Sequence, residues 1–205
     1  MNHLNVIKIY FGLKVRLKNK IFYLILFNIV FWSCASNNYS LARSDPEAFL
    51  LLKDSLLSNN SSKGARLALT YAHNKVGEKA ISYKDYKTAM KQFSFAVELS
   101  PEDSVSRYNL FMVEGHTIYN SGKRKKLWDA IDKYDSAAKM NPDSGEPYYY
   151  IGETYLKIGD KDFDLVIESY DRALSLNLDP GLKTIVLEKK TQEEKRQNTY
   201  QNFWK

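Results

Sequence analysis

The sequence predicts an all-α protein: a solenoid of about three helix hairpins with a capping helix at each end. Three observations predict it. Ala89-x3-Phe93-x2-Ala96-x4-Pro101 recurs offset for offset as Ala130-x3-Tyr134-x2-Ala137-x4-Pro142. Tyr148-x2-Ile151-Gly152-x2-Tyr155 opens a further amphipathic segment, which ends Val166-x3-Tyr170-x2-Ala173. Apolar residues fall at helical spacing along the chain, and no stretch alternates over a strand's length. An irregular helical bundle is the other architecture that fits this pattern.

The roles of these positions follow from helix packing. Two helices approach closely only where one lacks a side chain, and Gly152 supplies that gap. Ala89 and Ala96 are small where helices cross, and Phe93 fills the crossing. Pro101 and Pro142 end one hairpin and start the next. The Gly152 segment resembles the tetratricopeptide repeat, whose signature is W-x2-L-G-x2-Y, then A-x3-F, then P. Tyr148 stands for the Trp and Ile151 for the Leu. The resemblance covers residues 63–180, as repeats over about 63–103, 104–144 and 145–180. The first helix of the first repeat is degenerate: Gly77 keeps the small position, with His73 and Val76 where Trp and Leu stand in the family. Pro101 to Pro142 is 41 residues, seven beyond the usual period of about 34. The excess is expected in the polar stretch Asn120–Lys126, a loop between two helices.

Caps flank the repeats. Asp45-Pro46-Glu47 is a helix start, with an N-cap, Pro at the first position and an acid in the first turn. A helix over roughly 45–58 follows, then the polar breaker Ser58–Ser62, so that 45–62 forms the N-terminal cap and its loop. Residues 181–205 form a C-terminal cap, apolar at its start and charged after Glu188. Phe203 and Trp204 are expected either to fray or to dock on the array, with docking favoured. Such ends hide a solenoid's core on one side only.

The first 33 residues read differently. Lys8, Lys14, Arg16, Lys18 and Lys20 precede residue 34, and no acidic residue does. Residues 1–20 are a basic n-region, 21–32 an apolar h-region, and small polar residues follow, as in a secretory signal. The apolar run is short for a membrane span. Cys34 is the one cysteine, so no intramolecular disulfide forms. Phe31-Trp32-Ser33-Cys34 resembles a bacterial lipoprotein signal. That resemblance implies cleavage before Cys34, covalent lipid on it, and a flexible tether over 34–44. An uncleaved helical anchor and a soluble product cut after Ala35 are the alternatives. The expected location is an exported one, at the outer membrane or the periplasmic face.

The net charge of +6 comes from that segment. Of 30 basic residues five lie before residue 34, leaving 25 against 24 acidic ones. The body is near neutral, which argues against nucleic acid as a partner. His3, His73 and His116 are isolated, and no metal-ligand spacing, nucleophile elbow or phosphate-binding loop is present. The chain therefore reads as neither an enzyme nor a metal or cofactor protein, apart from the lipid at Cys34. His116 is expected at a surface or in a capping role.

The resemblance implies a protein partner held in a groove lined by the first helices. By its register the groove residues are Tyr71, Asn74 and Glu78, then Tyr108 and Met112, then Glu146, Tyr149 and Glu153. Tyrosine and methionine are large or adaptable contact residues. The basic clamp that some of these proteins use for a C-terminal carboxylate is not matched. Lys123, Arg124, Lys125 and Lys126 form a basic loop, either simply solvated or in contact with lipid phosphates or an acidic partner. The layout points to a membrane-anchored scaffold of the cell envelope, with envelope assembly factors as the nearest analogues in layout. An accessory protein that binds glycan or an envelope enzyme is the other reading.

Overall fold

The computed structural model describes residues 38–58, 62–159 and 162–203. Residues 1–33, where the sequence suggests a signal segment, together with Cys34 and Trp204, lie outside the described residues. The chain divides into two units, Met1–Ala68 and Leu69–Lys205.

In the first unit, residues 38–44 are helical, where the sequence suggests a flexible tether. Asp45 caps α1 (Pro46–Leu50), its carboxylate accepting from the Ala48 N–H at 3.0 Å. The expected single helix over 45–58 is broken. Leu51 and Leu52 bond three residues back, to Ala48 and Phe49. That tightened turn separates α1 from α2 (Lys53–Ser58). Leu51 is 86% exposed, so no packing there favours a continuous helix. Helix α3 (Lys63–Ser82) begins in this unit and runs into the second.

The second unit carries the hairpins. After α3 come α4 (Tyr86–Leu99), α5 (Ser104–Asn120), α6 (Leu127–Met140), α7 (Glu146–Ile158), α8 (Phe163–Leu174) and α9 (Pro180–Phe203). From α4 to α9 each helix packs on its sequence neighbour. Asp85 and Asp103 cap α4 and α5 through the Thr88 and Ser106 N–H groups. These bonds to the charged form hold the Asp85 carboxyl below its ordinary range.

One contact is repeated three times. A Cβ added to Gly77 would overlap the Phe93 ring, one on Gly115 would lie 2.5 Å from Tyr134, and one on Gly152 2.7 Å from Tyr170. Each second-helix ring lies flat on the bare backbone of its own first helix. Phe93, Tyr134 and Tyr170 are each at most 2% exposed. Each contributes on the order of 1.5–3 kcal/mol by burial. Three core clusters form around these rings, each completed by the following helix: Val113 for the first, Ile151 for the second and Val186 for the third. No hairpin closes its core alone, which is the physical content of a stacked repeat.

The same glycines correct the placement of the extra residues. Pro101 to Gly115 spans 14 positions, against 10 from Pro142 to Gly152. Gly115 to Ala130 spans 15, against 12 from Gly77 to Ala89. About a full turn of the excess therefore lengthens the start of α5, at 3.6 residues per turn. Only the remainder enters the loop. That loop contains Gly122 at φ 69°, in the left-handed region, and a short 3-10 turn over Arg124–Lys126.

Polar ties act between hairpins and within them. The Asn74 amide donates to the Ser106 hydroxyl at 2.7 Å, and Thr70 and Ser100 share a hydrogen bond of 2.9 Å. The Gly145 N–H donates to the Asn177 carbonyl, and the Asn177 N–H to that of Asp143, both at 2.8 Å. Helix α9 is more than a solvated cap. Val186 and Glu193 are buried, Lys190 pairs with Asp171 at 2.6 Å, and Gln197 donates to Asp164 at 2.6 Å. Phe203 is 78% exposed and so is not docked as expected.

Candidate functional site: the first-helix face

Gly115 sets the register of α5. It stands in the position of Gly77 and Gly152, so the second repeat reads Phe111-x2-Glu114-Gly115-x2-Ile118. Counted from it, the residues equivalent to Tyr71, Asn74 and Glu78 are Asn109, Met112 and His116. Tyr108 falls one position earlier than the groove register. The altered spacing after Pro101 hides this in the sequence, and Gly115 is the signal that exposes it.

A cavity of about 150 Å³ opens on this face. Glu78 and Ile81 of α3 line one side and Glu146 of α7 the other. Tyr108, Asn109, Met112 and His116 of α5 lie between them, with the Phe93 ring below. Four of the eight groove residues read from the sequence thus converge: Glu78, Tyr108, Met112 and Glu146.

The polar groups in the cavity are uneven. The Tyr108 hydroxyl donates to Glu146 Oε2 at 3.2 Å and lies 3.0 Å from the Ser144 hydroxyl. Burial pushes the Tyr108 hydroxyl well above the ordinary tyrosine range. Burial also raises the Glu146 carboxyl, and the Tyr108 bond offsets this in part. No cation among the described residues pairs with Glu146. Glu78 pairs with Lys75 at 2.6 Å, both substantially exposed.

His116 is 6% exposed, not at the surface as expected. Its Nδ1 lies 3.0 Å from the Tyr134 hydroxyl. Tyr150 meets the ring edge-on at 4.4 Å and Tyr86 lies at 5.7 Å. Burial lowers its pKa to about 4, so the imidazole is neutral at physiological pH. The same surroundings push the Tyr150 hydroxyl up to about 12, burial being the main cause.

The remaining groove residues are placed otherwise. Asn74 is buried, its amide spent on Ser106. Tyr71 is half-buried, with the Lys75 ammonium 5.7 Å from its ring centre. Tyr149 is half-buried between Tyr150 at 4.9 Å and Tyr170 at 6.2 Å. Glu153 accepts from the Tyr170 hydroxyl at 2.5 Å and pairs with Lys189 of α9 at 2.8 Å. It ties α7, α8 and α9 together.

Lys123, Arg124, Lys125 and Lys126 are all exposed at the α5–α6 tip. Beside them Trp128 is 54% exposed, its ring edge-on to Tyr155 at 5.9 Å. A larger depression of about 490 Å³ lies at the far end, between Phe163 and the last turns of α9. Its guanidinium, Arg196, is held by Glu193 at 2.6 Å, and Lys195 lines it as well. Among the described residues no group of histidine, cysteine and carboxylates could hold a metal ion, and no helix is long and apolar enough to cross a membrane.

Fold and face together define an all-α helical-repeat protein. No protein-family model matches the chain. It is 28% identical over 135 residues to Tetratricopeptide repeat protein 37 of Xenopus laevis. That alignment covers 63% of this chain and 8% of the relative, so the chain spans less than a tenth of the protein it matches. The likeness is to a repeat protein, in keeping with the hairpins. Repeat architecture and this similarity fit a non-catalytic protein.

Proposed function

We propose that this chain is an interaction scaffold that receives a peptide or helix from a partner protein on its first-helix face. The observation that carries this reading is the convergence of Glu78, Tyr108, Met112 and Glu146 around one cavity between successive first helices. Helical-repeat proteins present such faces as extended binding surfaces. Binding there needs no catalytic group, and aromatic and methionine side chains supply the contact area. The test is cross-linking in intact cells, followed by recovery of the tagged protein. A specific partner lost in the Tyr71→Ala, Tyr149→Ala double variant supports the reading. A partner retained at full yield moves the binding surface off this face.

The chain's placement is a separate proposal, resting on sequence pattern. Export, cleavage before Cys34 and lipid attachment there would tether the scaffold and raise its local concentration at a membrane. Cys34→Ala should then abolish metabolic labelling by fatty acid. Undiminished labelling would remove the lipid and leave an uncleaved helical anchor or a soluble secreted scaffold. On a tethered protein the Lys123–Lys126 loop would contact lipid phosphates. Serine at those four positions should then weaken liposome binding most at low salt.

A further inference from the structure

The cavity on the first-helix face is chemically one-sided. Two carboxylates, Glu78 and Glu146, line it, and no lysine or arginine does. Glu78 already pairs with Lys75, which is not among the lining residues, and Glu146 does not. Glu146 has a hydroxyl partner in Tyr108 and no cation among the described residues. Glu146 is half-buried, and a carboxylate partly removed from water without a cation is disfavoured in the free protein. A second group points the same way. His116, 94% buried by its 6% exposure, lines the cavity and spends only Nδ1, on Tyr134. Among the described residues its Nε2 has no hydrogen-bond partner. A neutral imidazole there can accept a proton donor.

Candidate occupants differ in what they satisfy. A metal ion does not fit, because these residues do not converge as a ligand set. An anion would meet two carboxylates. An uncharged apolar side chain would cover Glu146 and leave it worse solvated. A basic side chain answers both charge and shape. Its stem would pack on Ile81, Phe93 and Met112, and its head would donate to Glu146 and to His116 Nε2.

We propose that this cavity is a specificity pocket for a lysine or arginine side chain of the partner segment. This rests on the scaffold reading above, and it adds the identity of the anchoring residue.

The test is selection of random dodecamer peptides displayed on phage against the purified full-length chain. Counter-selections use Glu78→Gln with Glu146→Gln, and Tyr71→Ala with Tyr149→Ala. Glu146→Gln removes a charge that burial already disfavours, so the fold should tolerate it; circular dichroism checks this. The expected result is peptides that need Tyr71 and Tyr149, share one Lys or Arg, and bind the double-glutamine variant roughly tenfold more weakly. Replacing that Lys or Arg by norleucine should cost as much. Peptides that depend on Tyr71 and Tyr149 but carry no basic residue, or ignore the glutamines, would overturn the pocket and leave the scaffold reading standing. No peptide dependent on the tyrosines would overturn both.

Discussion

Glu146 and Glu153 lie two turns apart on α7, and they meet opposite fates. Glu153 is clasped by the Tyr170 hydroxyl and by Lys189 of α9. Glu146 holds one hydroxyl hydrogen bond and faces an open cavity. The comparison teaches what the C-terminal helix does. It supplies the cation that the third repeat would otherwise need from a ligand. Toward the second repeat no cation among the described residues plays that part. Repeats of the same helix geometry are thus divided by one lysine into a closed end and an open one.

The largest effect should come from removing what the two regions share, the ring-on-glycine crossing. Tyr134→Ala should cost about 3–5 kcal/mol in urea unfolding, because a fully buried aromatic is lost and a cavity is left. Gly115→Ala should cost about 1–3 kcal/mol by forcing Cβ into the same ring. A loss below about 0.5 kcal/mol for either would mean that the crossing does not hold the hairpins.

The buried imidazole gives the next effect, specific to the open region. The His116 pKa falls from 6.5 unfolded to about 4 folded. The unfolded chain therefore binds the extra proton between these values. Stability should be full above pH 6.5 and decline as pH falls toward 4, by roughly 3 kcal/mol at 1.36 kcal/mol per unit. Tyr134 and Tyr150, which lie against the ring, are raised by burial and stay neutral over this window. His116→Phe should flatten the decline; an unchanged pH profile would show that other groups cause it.

A smaller change converts one region into the other. Lys189→Met leaves Glu153 with its tyrosine alone and should cost about 1–2 kcal/mol, since the pair is only partly shielded from solvent. Glu146→Gln should cost less than about 0.5 kcal/mol or stabilise, as it removes a poorly solvated charge. Equal losses in thermal unfolding of the two variants would erase the distinction between them.

Much of the fold was legible because spacing encodes it. The Ala, Phe or Tyr, Ala, Pro offsets marked α4 and α6, and Gly152 marked the crossing in the third repeat. The N-terminal cap was misread as one helix because its periodicity could not show that Leu51 has nothing to pack on. The second repeat was misregistered for a similar reason. Sequence showed that residues were in excess, but whether they extend a helix or widen a loop depends on which positions meet the Tyr134 ring. His116 was missed because an isolated histidine gives no pattern; its burial arises from rings contributed by α4, α6 and α7. Glu146 and Glu153 looked alike because the lysine that separates them is 36 residues from Glu153 in sequence.

The most direct measurement places a photo-cross-linking amino acid at Asn109, on the cavity rim, and at exposed Lys91 of α4, then irradiates intact cells. If the first-helix face is the binding surface, position 109 yields a discrete partner adduct and position 91 does not. Adducts at 91 with none at 109 would contradict it.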